Sequence, residues 1–228
     1  MDISADILAR HFHALFAENA LAPTLMPSAE TLNAFVRYLT LLATWNKRIN
    51  LTGAKTLESL FRKQIIDSCL IASLLATHCT NPHPRLIDLG SGAGFPALPL
   101  RLLWPKGSVV LVEKQGKRAS FLRTVIAHLA LKDISVYAGT IAAISHEQPA
   151  SFDILTSKAC LPIPTLLPCA KQLLADQGLL AILATSPLPQ APDTEALSDV
   201  TPITTMPYMA FDQPRWLWLL RKNQGGTP

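Results

Sequence analysis

The sequence RLIDLGSGAGFP, from Arg85 to Pro96, constrains the fold more than any other part of the chain. Leu86–Leu89 has the short apolar run of a buried strand, three alternating glycines follow it, and Pro96 stands where a helix can begin. A second apolar run at 109–112 predicts the next strand, which ends at Glu113. Ligands of doubly wound sheets bind at the carboxyl ends of the strands, so the pattern predicts a site for a cofactor that contains a nucleoside.

The spacing Asp-x-Gly-x-Gly-x-Gly, formed by Asp88, Gly90, Gly92 and Gly94, fits a loop that binds S-adenosylmethionine (SAM). A looser dinucleotide pattern that ends at Ala97 gives Asp88 and Gly90 no role, so SAM is the predicted cofactor. A nicotinamide cofactor and a glycine turn without a ligand are the alternatives. We expect Glu113 to bind the ribose hydroxyls. We expect Asp88 to orient the loop or to meet the methionine end of SAM, with capping of the turn as the alternative.

The 228 residues, 49% hydrophobic and 16% charged, are enough for a sizeable core. Up to residue 80 the patterns predict only helices, over 3–21, from Ser28 to about 50, and from Thr56 to about 76. Strands and helices then alternate, which predicts a parallel sheet. The predicted strands are 86–89, 109–113, 133–138, 152–157, 179–185, about 200–205 and 215–221. The predicted helices are 96–104, 116–131, about 140–145 and 163–176, with a loop over 186–199.

These patterns predict an α/β fold of the class I SAM-dependent methyltransferase type. It has a Rossmann-like, seven-stranded, mostly parallel sheet, and its last two strands lie close enough in sequence for a hairpin. We expect an N-terminal helical region over 1–80 and a SAM-binding domain over 81–228.

Composition limits the location and the partners of the chain. The apolar stretches, such as Leu179–Ala184, are too short to span a membrane, and the N-terminus lacks a signal-peptide pattern, so we expect a cytoplasmic protein. Four cysteines without C-x-x-C spacing and six scattered histidines predict no metal site. A net charge of +4 and a pI of about 9.0 are compatible with a nucleic-acid partner.

Several stretches together resemble the RsmG (GidB) family, bacterial methyltransferases that act on N7 of one guanine in small-subunit ribosomal RNA. They are Trp45-Asn46 with Asn50-Leu51-Thr52, Asp67-Ser68, Asp88 to Pro99, Gly116-Lys117-Arg118 with Phe121-Leu122, Phe152-Asp153 and Ser157-Lys158-Ala159. The resemblance implies a bundle of helices packed against a SAM-binding α/β domain. It also implies cofactor contacts at Gly90, at Phe95, at the backbone near Ile141 and Ala142, and at Lys158.

The chain departs from the family pattern at several positions. Lys63-Gln64 replaces an Arg-His pair, Lys158 replaces an arginine, Ala97 replaces a glycine, and carboxylates are absent near Ala142 and Ala143. Lysine keeps the charge of arginine but loses its bidentate fork. We therefore expect the departures to affect the RNA and the orientation of the base more than the fold.

The expected chemistry needs no general base, because N7 of guanine has a free lone pair. Methyl transfer can then proceed in line by positioning alone. Lys158 ends the fourth strand, so we expect it to contact an RNA phosphate or guanine O6 and to serve transfer more than folding. Lys63, Lys117 and Arg118 are predicted to neutralise phosphates, with a solvated helix face as the alternative.

Two residues and two alternative functions complete the expectations. Asn50 and Thr52 are predicted to hydrogen-bond a base or the cofactor pocket, with capping of the turn as the alternative. Cys160 lies where the nucleophile of a pyrimidine C5 methyltransferase would sit, which makes that enzyme one alternative. A non-catalytic module that binds SAM or RNA is the other. The expected partner is small-subunit ribosomal RNA, free or in the subunit particle, and we expect a monomer.

Overall fold

The computed structural model describes residues 3–188, 197, 199–210 and 212–224. The first eighty residues form helices, as predicted: α1 Ala5–Glu18, α2 Ala29–Ile49, α3 Leu57–Leu60 and α4 Ile66–His78, with a 3-10 turn at Pro23–Leu25. A π-helical turn, Phe61–Ile65, joins α3 to α4. The predicted third helix is therefore continuous but contains a π-helical turn, and such turns often occur at functional sites.

Side chains define the ends of these helices. The hydroxyl groups of Ser28 and Thr56 accept hydrogen bonds from the third residue of α2 and of α3, as expected for N-caps. Helix α2 ends at Asn50, whose φ of 48° is left-handed. Asn46 then holds the turn, because its amide donates to the Thr52 carbonyl at 2.9 Å and accepts from the Thr52 N–H at 2.8 Å.

Strands and helices alternate after residue 84. The strands are β1 Arg85–Leu89, β2 Ser108–Val112, β3 Ile134–Tyr137, β4 Phe152–Lys158, β5 Leu174–Ala184, β6 Val200–Ala210 and β7 Gln213–Lys222. The helices between them are α5 Ala97–Leu103, α6 Gly116–Leu129, α7 Ile141–Glu147 and α8 Ile163–Leu173. Each of these elements was predicted, and most of the predicted loop over 186–199 lies outside the described residues.

Two boundaries differ from the prediction for a local reason. Helix α8 ends at Leu173 rather than at 176, because Leu174 pairs with Phe152 of β4 at the start of a longer β5. Strand β6 continues to Ala210, since it pairs with β7 along its whole length. Antiparallel neighbours extend each other in this way whatever the local propensity of one strand.

The sheet order is β3-β2-β1-β4-β5-β7-β6. The first five strands in this order are parallel, and β7 runs antiparallel to both β5 and β6. Strands β2 and β3 lie on one side of β1, and β4 and β5 lie on its other side. The topological switch point is therefore between β1 and β4. The seven-stranded, mostly parallel α/β prediction is confirmed.

Alternate residues of β1 face two different cores. Leu86 packs in a cluster with Phe12 and Phe35 of the N-terminal helices, whereas Ile87 and Leu89 pack on the opposite side of the sheet. The N-terminal helices thus share a core with one face of the sheet. Residues on both sides of position 80 contribute to that core, and the domain boundary there stays a prediction.

Candidate active site

The glycine loop lies directly after β1, at the switch point of the sheet. The N–H groups of Gly90 and Ser91 both donate to the Val112 carbonyl, at 3.0 Å each, which fastens the loop to the end of β2. Gly94 has a φ of 94°, and a Cβ atom there would lie 2.3 Å from the Leu98 side chain. Only glycine fits this backbone and this approach of loop to helix.

The N-terminal helices hold the glycine loop from one side. The Tyr38 hydroxyl of α2 donates to the Ala93 carbonyl at 2.7 Å, and the Ser68 hydroxyl of α4 donates to the Pro96 carbonyl at 2.9 Å. The Phe95 ring lies beside that of Tyr38, with 5.7 Å between ring centroids. Both donors are buried, so these bonds fix the loop with little competition from water.

Glu113 follows β2 and is buried to 5% exposure. One carboxylate oxygen accepts from the Gly92 N–H at 2.9 Å, and the other accepts from the Gln115 N–H at 2.8 Å. An ionised carboxylate has about four acceptor positions, so each oxygen keeps a second one for a ligand. Glu113 therefore shapes the glycine loop and can also accept from ribose hydroxyls.

Asp88 lies beneath the loop at 1% exposure. Its Oδ1 accepts from the Thr156 hydroxyl of the neighbouring strand at 2.6 Å, and its Oδ2 has no hydrogen-bond partner among the residues that the structure describes. Burial raises the pKa of Asp88 from 3.8 to about 6, against the opposing effect of hydrogen bonds from hydroxyl groups. The unpartnered oxygen is a polar atom that a ligand or a water molecule could satisfy.

A cavity of about 530 Å³ opens at the carboxyl ends of β1, β2 and β4. This volume is within the range of about 300–1,000 Å³ that is typical of small-molecule and cofactor sites. Five of the predicted cofactor residues line it: Gly90, Glu113, Ile141, Ala142 and Lys158. The other four, Asp88, Gly92, Gly94 and Phe95, lie in or below the loop and do not line the cavity.

The sequence analysis missed several residues that line the cavity: Val112, Lys114, Gln115, Gly139, Thr140, Ala159, Leu161, Thr165 and Cys169. Most lie in loops after strands or near the start of a helix. A signal for Thr140 existed, because its hydroxyl caps α7 by accepting from the Ala143 N–H. Thr165 and Cys169 belong to α8, which no cofactor motif marks.

Lys158 ends β4, with its ammonium group directed at the π-helical turn and at α4. It donates to the Lys63 carbonyl at 3.0 Å and to the Gln64 side chain at 2.6 Å, and it forms an ion pair with Asp67. These three acceptors match the three N–H donors of a lysine. The Lys158 side chain thus joins the sheet to the helices, and its expected role in methyl transfer stays a prediction.

Asp67 is the buried partner in this contact, at 2% exposure. Its second oxygen accepts from the Tyr208 hydroxyl of β6 at 2.5 Å. Burial, and next the adjacent Asp67 carboxylate, raise the pKa of Tyr208 well above its usual value. The network therefore holds Tyr208 as a neutral donor and connects α4, β4 and β6 at one end of the sheet.

The predicted RNA-binding residues fall into two groups. Asn50 and Thr52 have roles in the turn after α2: Asn50 is its left-handed residue, and the Thr52 hydroxyl accepts from the Ala54 N–H at 3.2 Å. Lys63 and Lys117 are exposed, and Arg118 lines the cavity described above. The structure thus favours the capping alternative for the first two residues, and of the three cations only Arg118 lines this cavity.

Cys160 also lines the cavity. Its Sγ atom lies 3.0 Å from the Ser157 hydroxyl oxygen. A Cβ atom added at Gly90 would lie 2.5 Å from the Cys160 Cβ atom. Burial raises the pKa of the Cys160 thiol. A protonated thiol is a poor nucleophile, so this environment gives no support to a cysteine-dependent mechanism.

The described residues contain neither a candidate membrane span nor a candidate metal cluster. None of the helices in this part of the chain is long and apolar enough to cross a bilayer. In the same residues, no cluster of three or more histidine, cysteine, aspartate or glutamate side chains has a geometry that could hold a metal ion.

The strand order, the glycine loop at the switch point and the carboxylate after β2 define a class I methyltransferase fold. The crystal structure of P. horikoshii TYW2 in complex with MeSAdo has the same fold. Its TM-score is 0.57 at 17% identity, and the match covers 71% of this chain and 63% of that one.

A family model described as rRNA small subunit methyltransferase G (GidB) matches residues 31–199, and the chain belongs to this family. A "Ribosomal RNA small subunit methyltransferase G" from Nitratidesulfovibrio vulgaris is 37% identical over 163 residues, 72% of this chain and 74% of the relative. A protein of the same name from Lawsonia intracellularis is 33% identical over 186 residues, 81% of this chain and 84% of the relative. The predictions of this family and of a SAM-dependent methyltransferase are confirmed.

Proposed function

We propose that the chain transfers the methyl group of SAM to N7 of a guanine in small-subunit ribosomal RNA, directly and in line. One observation carries the proposal: a single cavity at the switch point collects the glycine loop, the buried Glu113 and the end of β4. In this fold the cofactor binds at that position. The family to which the chain belongs supplies the class of RNA.

The lining residues suit the parts of SAM. The Glu113 carboxylate would accept from the ribose hydroxyls, which are donors that a buried acceptor binds well. The backbone at Ile141 and Ala142, at the start of α7, would meet the adenine edge. The loop at Gly90 and the segment at Lys158 would then face the methionine end of SAM. The Asp88 oxygen without a partner lies below the loop, where it would accept a hydrogen bond from a nearby polar group.

SAM supplies a methyl group bound to a positively charged sulfur. The protein needs to hold the acceptor nitrogen in line with that carbon and to exclude water, because guanine N7 has no proton to remove. Burial raises the pKa of the Cys160 thiol, which disfavours the thiolate that a covalent mechanism needs. These features favour direct transfer over the cysteine-dependent alternative.

Cations beside the cavity suit an RNA substrate. Lys114, just before α6, and Arg118, in the first turn of α6, line the cavity, and Lys117 is exposed in the same turn. Positive side chains near a cofactor site can neutralise phosphates and raise the local concentration of RNA. We propose that these three residues contact the RNA backbone beside the acceptor nucleotide.

The test follows labelled methyl groups from SAM into ribosomal RNA. We expect wild type to label small-subunit RNA and Glu113→Ala to do so 10- to 100-fold more slowly at subsaturating SAM, an order-of-magnitude estimate for the loss of charge-assisted hydrogen bonds. Glu58→Ala, which removes an exposed carboxylate of α3, is the matched control and should retain the wild-type rate. The proposal would be contradicted if wild type left small-subunit RNA without label, or if wild type and Glu113→Ala labelled it at equal rates.

A further inference from the structure

A second cavity, of about 240 Å³, adjoins the cofactor cavity at the end of β4. Lys158 and Ala159 line both cavities, so this short segment is their common wall. A methyl donor and its acceptor must come within contact distance, so an acceptor site has to adjoin the cofactor cavity. The second cavity is too small for an oligonucleotide but has the scale of a single base.

The hairpin of β6 and β7 contributes an aromatic ring and a cation to the second cavity. Tyr208 and Arg215 are direct cross-strand partners, so their side chains leave the hairpin on the same face, and both line the cavity. The bond from the Tyr208 hydroxyl to Asp67 holds the ring in place. Among the described residues, none accepts a hydrogen bond from the Arg215 guanidinium.

A third cavity, of about 260 Å³, also reaches Ala159 and is the competing location for an acceptor. Its walls are mostly apolar, from Leu161, Ile163, Leu166 and Trp218, and none of its lining residues is charged. A nucleotide presents a flat ring, polar base edges and a phosphate. The second cavity offers an aromatic wall and cations for these groups, and the third offers no cation.

We propose that the second cavity binds the acceptor purine base, with the Tyr208 ring as its stacking wall and Arg215 as the cation for the phosphate of the same nucleotide. Unpaired bases of RNA are commonly held by stacking on aromatic side chains. This inference rests on the proposed function, because it assumes that the ligand of the neighbouring cavity is SAM and that the acceptor is RNA.

The experiment compares steady-state methylation of small-subunit RNA with SAM affinity measured by calorimetry. Tyr208→Leu removes the ring and is expected to raise KM for RNA about 10-fold or more, in line with the loss of one base–aromatic stack. Tyr208→Phe keeps the ring and should hold KM within about 3-fold of wild type. Both variants should bind SAM as wild type does, which also reports that they are folded.

Ile163→Ala, in the third cavity, is the matched control and should leave KM for RNA unchanged. Should Tyr208→Leu fail to fold, Arg215→Gln decides, with an expected rise in KM and a weaker dependence on salt. Wild-type KM in a folded Tyr208→Leu or in Arg215→Gln overturns the inference and leaves the proposed function standing. A rise in KM with Ile163→Ala alone assigns the base to the third cavity. If the wild-type protein methylates no small-subunit RNA, both the proposed function and this inference are wrong.

Discussion

The contact between Lys158 and Asp67 makes a quantitative prediction about stability. Asp67 is 2% exposed, and the Lys158 side chain is 23% exposed. Replacing Lys158 by methionine keeps much of the apolar stem but leaves a buried carboxylate with only the Tyr208 hydroxyl and no positive partner. Removing one member of a buried pair costs about 3–5 kcal/mol, because the remaining charge stays desolvated.

Partial exposure of the lysine lowers this figure, so we expect Lys158→Met to lose about 2–4 kcal/mol of unfolding free energy. Lys171→Met is a matched control. Lys171 also forms one ion pair and has a similar exposure, 25%, but its partner Asp199 is 62% exposed. An ion pair with an exposed partner contributes about 1 kcal/mol or less.

Urea unfolding at pH 7.5 measures the stability of both variants. The unfolding midpoint is converted to an unfolding free energy with the same dependence on urea concentration for each variant. The double variant Lys158→Met/Asp67→Asn should recover much of the loss, because it removes the unpaired charge. Equal losses in Lys158→Met and Lys171→Met, or a double variant less stable than Lys158→Met, would refute the argument that this pair holds the helices to the sheet.

Four further predictions concern the cofactor site. Burial raises the pKa of Asp88 from 3.8 to about 6, so the unfolding free energy of wild type should fall by about 3 kcal/mol through this group as pH rises from about 4 to 6. Asp88→Asn should lack this fall when urea unfolding at pH 4 is compared with urea unfolding at pH 7.5. Glu113→Ala should weaken SAM affinity by roughly 10- to 100-fold in calorimetry, and an unchanged affinity would remove Glu113 from the site. Gly92→Val should weaken SAM binding strongly, because the φ of 54° at Gly92 is a left-handed conformation that a β-branched residue does not adopt without strain, so the loop must shift; normal SAM binding would contradict the loop assignment. Cys160→Ser should transfer methyl groups within about 3-fold of the wild-type rate, whereas an inactive variant would revive the cysteine-dependent mechanism.

The sequence was sufficient to predict the sheet, and it puts the proposed cofactor site at the strand ends where the cavity of about 530 Å³ lies. Alternating strand and helix patterns after Arg85 predict parallel strands, and the glycine loop with Glu113 marks two adjacent strand ends. These signals are local: each depends on a few consecutive residues or on the end of one strand. The same local logic located Ser28 and Thr56 as helix caps, and both caps are present.

Long-range contacts lay beyond this reasoning. Lys158 and Gln64 were identified separately as departures from the family pattern, yet they touch each other at 2.6 Å across 94 positions of sequence. Asp67 and Tyr208 are 141 positions apart. No periodicity connects such residues, because the pairing of elements in space determines them. The contacts of Lys158 with Gln64 and Asp67 could not be predicted from the sequence for this reason, and its assignment to the RNA stays a prediction.

Turn chemistry explains a second difference. Asn50 and Thr52 are polar residues close to Asn46 in sequence, and this pattern predicts either a ligand role or the capping of a turn. The structure shows that Asn46 and Thr52 exchange hydrogen bonds within the turn and that Asn50 supplies its left-handed residue. Short polar side chains commonly satisfy nearby backbone groups, so the pattern is typical of a turn as well as of a binding site.

Mapping the methylated atom on small-subunit RNA tests the central claim most directly. Small-subunit particles and their free RNA are incubated with wild-type protein and SAM carrying a labelled methyl group, and the labelled nucleotide is identified by digestion and by chain cleavage specific for 7-methylguanosine. We expect the label on N7 of a single guanine, with Glu113→Ala strongly reduced. Label on carbon 5 of a pyrimidine, or the absence of label from small-subunit RNA in both substrates, would contradict the account.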